Sequence, residues 1–118
     1  MPFTDHTVIC TYRVKPGARD AFLELLHRHW PTLRDAGLAT DTPPLIFESA
    51  QSGKPQHDEA GITFVEIFSW ARADAPGVAH STPAVMAVWE PMGGLTESRD
   101  GRPPMEFPHF RPLELDNA

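Results

Sequence analysis

The stretch that decides the fold is Ile62–Trp70, ITFVEIFSW. Seven of its nine residues are β-branched or aromatic, a composition that suits a pleated, packed surface. It predicts a strand. Side chains alternate across a strand, so Phe64, Glu66, Phe68 and Trp70 share one face and Thr63, Val65, Ile67 and Ser69 the other. Both faces carry large apolar groups. A sheet with one wet face alternates apolar with polar, so this strand belongs in a sheet covered on both sides. Glu66 interrupts the run between two phenylalanines on its own face. A carboxylate there is costly unless it is paired or hydrogen-bonded.

On the C-terminal side, Ala71–Val78 reads as a connection. Ala79–Leu95, AHSTPAVMAVWEPMGGL, then opens with helix-start chemistry. Ser81 or Thr82 can cap, and Pro83 suits the first helical position, where a missing N–H costs nothing. Val85, Val88, Trp89, Met92 and Leu95 recur at three- and four-residue spacing, one face of a helix. His80 stands at its mouth, and Gly93-Gly94 ends its regular part. Glu97–Pro104 is turn-rich. Phe107–Leu115, FPHFRPLEL, predicts a last strand, and its prolines place it at a sheet edge.

On the N-terminal side, Ala50–Gly61 is a polar hairpin loop and Leu45–Ser49 a short strand. Ala18–Ala36 predicts a helix with Phe22, Leu25, Leu26, His29 and Leu33 as its apolar stripe and Trp30 on the flank. Pro31 lies inside this pattern and either kinks the helix or starts a second segment. His6–Val14, HTVICTYRV, is the first strand, with Val8, Cys10, Tyr12 and Val14 on one face and Ile9 on the other.

The resulting order is β-α-β-β-α-β, an α+β, ferredoxin-like arrangement: a four-stranded antiparallel sheet with two helices on one face. The two central strands are apolar on both faces, and no helix remains to cover the second. A second copy of the chain is the economical cover, giving a homodimer packed sheet on sheet.

The element order, the doubly apolar central strands, AHSTPAVMAVWEPMGGLTE and EFPHF together resemble the dimeric α+β barrel superfamily. The likeness is strongest to its small antibiotic-biosynthesis-monooxygenase-like proteins and covers about Thr7–Leu115. The resemblance implies a ferredoxin-like protomer, a homodimer, and a pocket between each sheet and its own helices. It also implies a range of activities: cofactor-free oxygenases, haem-degrading enzymes, isomerase-like members. The haem-degrading branch relies on an asparagine, a tryptophan and a helix histidine. The only asparagine here is Asn117 in the tail, so that set is not met as a unit.

With 118 residues the chain reads as one domain, 1–118. Its net charge of −6 disfavours nucleic acid as a partner, because phosphate binding needs a basic surface. No apolar run approaches the ~20 residues of a membrane span. No signal peptide is evident, which makes a cytoplasmic protein the expectation. The single cysteine, Cys10, excludes an internal disulfide and any multi-cysteine metal site. No glycine-rich loop joins a strand to a helix, which disfavours a nucleotide site.

Histidine is the natural reactive group near neutral pH. Of six histidines, His57 lies in the polar loop and His6 at a strand start. His27 and His29 lie on the first helix, where His29 reads chiefly as a core imidazole satisfied by a local partner. His80 and His109 are the stronger candidates, His80 at a helix mouth and His109 beside Phe107 and Phe110. Parity puts Glu66 and His109 on one face, with Tyr12 between them. The expected catalytic residues are therefore His80, Glu66 and His109, in a small-molecule pocket walled by Tyr12, Trp89, Phe64 and Phe68. The competing expectation is a buried polar network that only fixes packing.

Two reactions suit such a pocket. A carboxylate–histidine pair can take a proton from a phenolic or polyketide-like substrate, whose carbanion then reacts with oxygen without a bound cofactor. Alternatively, Glu66, His80 and His109 form a two-histidine, one-carboxylate metal site, although no short ligand spacing marks one. A non-enzymatic ligand-binding or stress-related protein is the third class.

Overall fold

The computed structural model describes residues 2–51, 54–55 and 61–115. His57 and Asn117, singled out in the sequence, lie outside the described residues.

The structure is an α+β protein with an open antiparallel sheet and its helices on one face. β1 (Thr7–Val14) lies at the centre. β5 (Ile62–Ser69) pairs along its whole length, Thr7 opposite Ser69 through Val14 opposite Ile62. β2 (Leu45–Glu48) flanks β5 on the outside. β6 (Met105–Glu106) and β7 (His109–Phe110) share the other edge of β1. A small hairpin, β3 (Ala50–Gln51) with β4 (Lys54–Pro55), stands apart. Both central strands thus sit where their doubly apolar patterning requires.

The register assigns every side chain a face. On the inner face lie the rows Ile46–Glu66–Cys10, Glu48–Phe64–Tyr12–Met105 and Phe68–Val8–His109. α1 (Arg19–Asp35) and α3 (Pro83–Gly94) cover these rows and contact one another. Phe22, Leu25, Leu26, His29, Trp30 and Leu33 of α1, and Val85, Val88 and Met92 of α3, are buried against the sheet. On the outer face lie Ile9, Leu45, Phe47, Val65, Ile67 and Phe110. Leu45, Phe47 and Phe110 are each about half exposed there.

Four sequence expectations change in detail. Pro31 does not start a second segment, since the helix is continuous through it. The connection after β5 contains a short helix, α2 (Ala75–Ala79, APGVA), which the adjacent proline and glycine conceal. Its nearness also alters the start of α3. Thr82 is the N-cap residue, but its hydroxyl donates back to the Val78 carbonyl at 2.8 Å and leaves the helix N–H groups alone. The last strand begins at Met105, not Phe107, and breaks after Glu106. Pro108 has no N–H to give the ladder, although its carbonyl still accepts from the Ile9 N–H at 3.0 Å.

Candidate functional site: a buried carboxylate–imidazole–indole chain under an aromatic cavity

β5 carries Glu66 to the centre of the inner face, fully buried. β1, in register beside it, places Tyr12 one row away on the same face. The Tyr12 hydroxyl donates to Glu66 Oε1 at 2.7 Å. From above, α1 lowers His29 onto the same oxygen. His29 follows Phe22 by seven residues and Leu25 by four, so it falls on the core-facing stripe. Its Nδ1 lies 2.8 Å from Glu66 Oε1.

The far side of the imidazole fixes its state. The Trp89 Nε1–H of α3 donates to His29 Nε2 at 2.8 Å. An indole nitrogen is only ever a donor, so Nε2 offers a lone pair. The proton of the neutral ring therefore sits on Nδ1, and Nδ1–H donates to Glu66. The chain runs Tyr12 and His29 to Glu66, and Trp89 to His29, with every donor aimed toward the carboxylate. Glu66 Oε2, by contrast, has no partner among the described residues.

Burial, helped by the nearby Glu66 carboxylate, raises the Tyr12 phenol well above its ordinary pKa. Desolvation and then Glu66 do the same to the Cys10 thiol. Both groups stay protonated near neutral pH. Tyr12 is thus a donor, and Cys10 is a buried thiol of low reactivity.

A cavity of about 350 Å³ opens over this chain, between sheet and helices, within the range of small-molecule sites. Tyr12, His29, Phe68, Trp70, Trp89 and Phe107 give it aromatic walls, with Val8, Cys10 and Met92 among its apolar lining. His80 and His109 also face it, and both are exposed, at its mouth. The His80 ring stands 4.9 Å from the Trp89 ring, edge on. Among the described residues no Lys or Arg lines it, whereas Glu90 does.

The expected residues distribute as follows. His80, His109, Tyr12, Trp89 and Phe68 line one cavity. Glu66 lies behind it, joined to it through Tyr12 and His29 and not facing His80 or His109. Phe64 lies deeper still, stacked on Phe22 with ring centres 5.8 Å apart, and is not in the lining of this cavity. His29 is buried, as the apolar stripe implied, but its partners Glu66 and Trp89 are distant in sequence where a local one was expected, and it also lines the cavity. Its bond to Glu66 joins residues 37 apart in sequence, and nothing in either segment alone signals it.

No family model matches the sequence, and no curated protein matches it. Solved structures do. An antibiotic biosynthesis monooxygenase aligns over 92% of this chain and 98% of its own, with TM-score 0.62 and 15% identity. SnoaB, a cofactor-independent oxygenase from Streptomyces nogalater, solved as a mutant, aligns over 95% and 96%, with TM-score 0.58 and 14% identity. Rv0793 from Mycobacterium tuberculosis aligns over 94% and 97%, with TM-score 0.58 and 21% identity. The chain has the fold of the antibiotic-biosynthesis-monooxygenase-like proteins.

In this monooxygenase-like fold the metal alternative loses its geometry. Among the described residues no three His, Cys, Asp or Glu side chains gather into a ligand set. Glu66 is committed to Tyr12 and His29 beneath the cavity floor, while His80 and His109 stand at its exposed mouth. The three residues proposed to share a metal therefore do not meet. No described helix is long and apolar enough to cross a membrane.

Proposed function

We propose that the protein binds a small aromatic molecule and oxygenates it without a bound cofactor, taking a phenolic or polyketide-like substrate. The observation that carries this reading is the aromatic cavity floored by an imidazole whose other nitrogen is bonded to a buried carboxylate. Such a pair takes up a proton and stabilises the resulting imidazolium. The substrate hydroxyl gives its proton to a cavity imidazole. The electron-rich ring then passes one electron to dioxygen, the two radicals join through a new C–O bond, and loss of water leaves a quinone. The ring gains one oxygen atom and loses two hydrogens, and the second oxygen leaves as water.

In this reading Tyr12, Phe68 and Trp89 hold the ring, His80 and His109 meet the substrate at the mouth, and Glu66 acts through His29. The likeness to a cofactor-independent oxygenase adds support at the level of fold. The protein would work as a homodimer, supported by the uncovered apolar sheet face. A cytoplasmic setting is supported by the unpaired, buried Cys10 thiol.

The test is oxygen uptake with a panel of mono- and polycyclic phenols. Uptake equal to phenol consumed is expected for at least one member. Removing the acting imidazole among His29→Phe, His80→Ala and His109→Ala should lower the rate roughly 100-fold or more, the worth of general-base catalysis. No uptake with any phenol, or uptake unchanged in all three variants, would leave a protein that only binds.

A further inference from the structure

The cavity offers three imidazoles, and their surroundings differ. His80 and His109 are exposed and have no carboxylate partner among the described residues. His29 is buried, with Nδ1 at 2.8 Å from Glu66 Oε1 and Nε2 at 2.8 Å from the Trp89 indole nitrogen. Trp89 is only half-buried and forms part of the cavity wall. One partner of His29 is thus rooted in the central strand, and the other stands on a wall with room beside it.

We propose, building on the oxygenase reading, that His29 is the proton acceptor and that the Trp89 N–H caps its lone pair until a substrate hydroxyl replaces it. The exchange is one donor for another. The indole N–H leaves Nε2, the phenol O–H takes the same lone pair, and no buried group is left unpaired at the imidazole. The proton then passes from the phenol oxygen to Nε2. The imidazolium so formed keeps its Nδ1–H on Glu66, now as an ion pair in a dry setting where such pairing is strong. Glu66 is a positioning residue in this scheme. It holds the ring in the Nδ1–H tautomer and so points the basic nitrogen at the cavity. Tyr12 shares the same carboxylate oxygen and keeps it from turning away.

The alternative arrangement is chemically distinct. If His29 carried its proton on Nε2, it would have no lone pair facing the cavity, and Trp89 could not donate to it. The ring would then be a structural strut, and the base would be His80 or His109.

Nitrogen-15 NMR of the imidazole side chains separates these cases without any turnover. At neutral pH, His29 should show a protonated Nδ1 and an unprotonated Nε2. Trp89→Phe should shift His29 Nε2 toward a lone pair free of hydrogen bonding, and should tighten 1-naphthol binding by about 2- to 10-fold, the worth of one neutral hydrogen bond. Titrating wild-type protein with 1-naphthol should move the His29 Nε2 and Trp89 indole signals together. A protonated Nε2 on His29, or naphthol binding that disturbs only His80 and His109, overturns this inference and leaves the oxygenase reading standing. A panel of phenols that neither binds nor consumes oxygen overturns both.

Discussion

At Glu66 a single oxygen atom organises the interior. Oε1 accepts from the Tyr12 hydroxyl and from His29 Nδ1, both buried. Removing a shared acceptor is worse than removing one donor, because two desolvated donors then lack partners. Glu66→Leu should cost about 2–6 kcal/mol, at roughly 1–3 kcal/mol for each stranded group. Tyr12→Phe alone should destabilise by about 1 kcal/mol through loss of one hydrogen bond. In the Glu66→Leu background the same Tyr12→Phe change should stabilise, because it deletes a stranded hydroxyl. Urea denaturation of the four proteins of this double-mutant cycle reads the sign directly. A Tyr12→Phe effect of the same sign in both backgrounds would mean that the two residues do not share the bond in solution.

At the level of elements, the turn after α3 shows how the two central strands are tied together at one end. Arg99 reaches from this segment to the Val14 and Ile62 carbonyls and the Thr63 hydroxyl, tying β1 to β5 where the two strands meet their ends. It can do so because Gly61 has no side chain. A Cβ built at Gly61 would collide with the Arg99 guanidinium, and the backbone there has φ +82. Gly61→Ala therefore combines left-handed strain of about 1–3 kcal/mol with displacement of the guanidinium. Thermal unfolding should show a lower midpoint for Gly61→Ala. In an Arg99→Ala background the same glycine substitution should cost less, because the guanidinium is gone and what remains is the strain and a 3.2 Å approach to the Val14 carbonyl. Equal penalties in both backgrounds would show that the guanidinium gives way without cost.

The same elements explain what can be read from the sequence and what cannot. Strong periodicity locates β1, α1, β5 and α3 to within a few residues, because each buries one full face and its apolar spacing records that burial. α2 is hidden, since five residues containing Pro76 and Gly77 carry no helical pattern, and it forms by packing Ala75 and Ala79 inward. The start of the last strand is not legible, because its pairing depends on carbonyl acceptors from Pro104 and Pro108, which composition does not reveal. The inner-face grouping of Tyr12, Glu66 and His109 follows from parity, and an unbroken register keeps it true. The Glu66–His29–Trp89 chain escapes the sequence, because it joins three separate elements and each residue has an ordinary local explanation.

At the level of the whole molecule, the face opposite the helices asks for a partner. Leu45, Ile67 and Ile9 form one cross-strand row, and Phe47 and Val65 begin the next. Phe47 is 54% exposed and Leu45 47%. Contiguous apolar surface of this kind marks an interaction site, and an edge-to-edge pairing would leave it bare. Packing two such faces across a two-fold axis covers it with the same residues on both sides, the property of a self-complementary interface. Light scattering at micromolar concentration should therefore give twice the mass of one chain, 13.1 kDa. Phe47→Glu puts two carboxylates into that interface, one from each copy, and desolvating them is costly. The variant should run as a monomer while keeping the inner-face network, since Phe47 points away from Glu66. A wild-type protein that stays monomeric would leave the outer face to another kind of partner. A Phe47→Glu dimer as tight as wild type would place the contact elsewhere. Because the cavity lies between sheet and helices within one chain, 1-naphthol binding should survive in the monomer, and comparing the two forms shows whether assembly serves stability or the site.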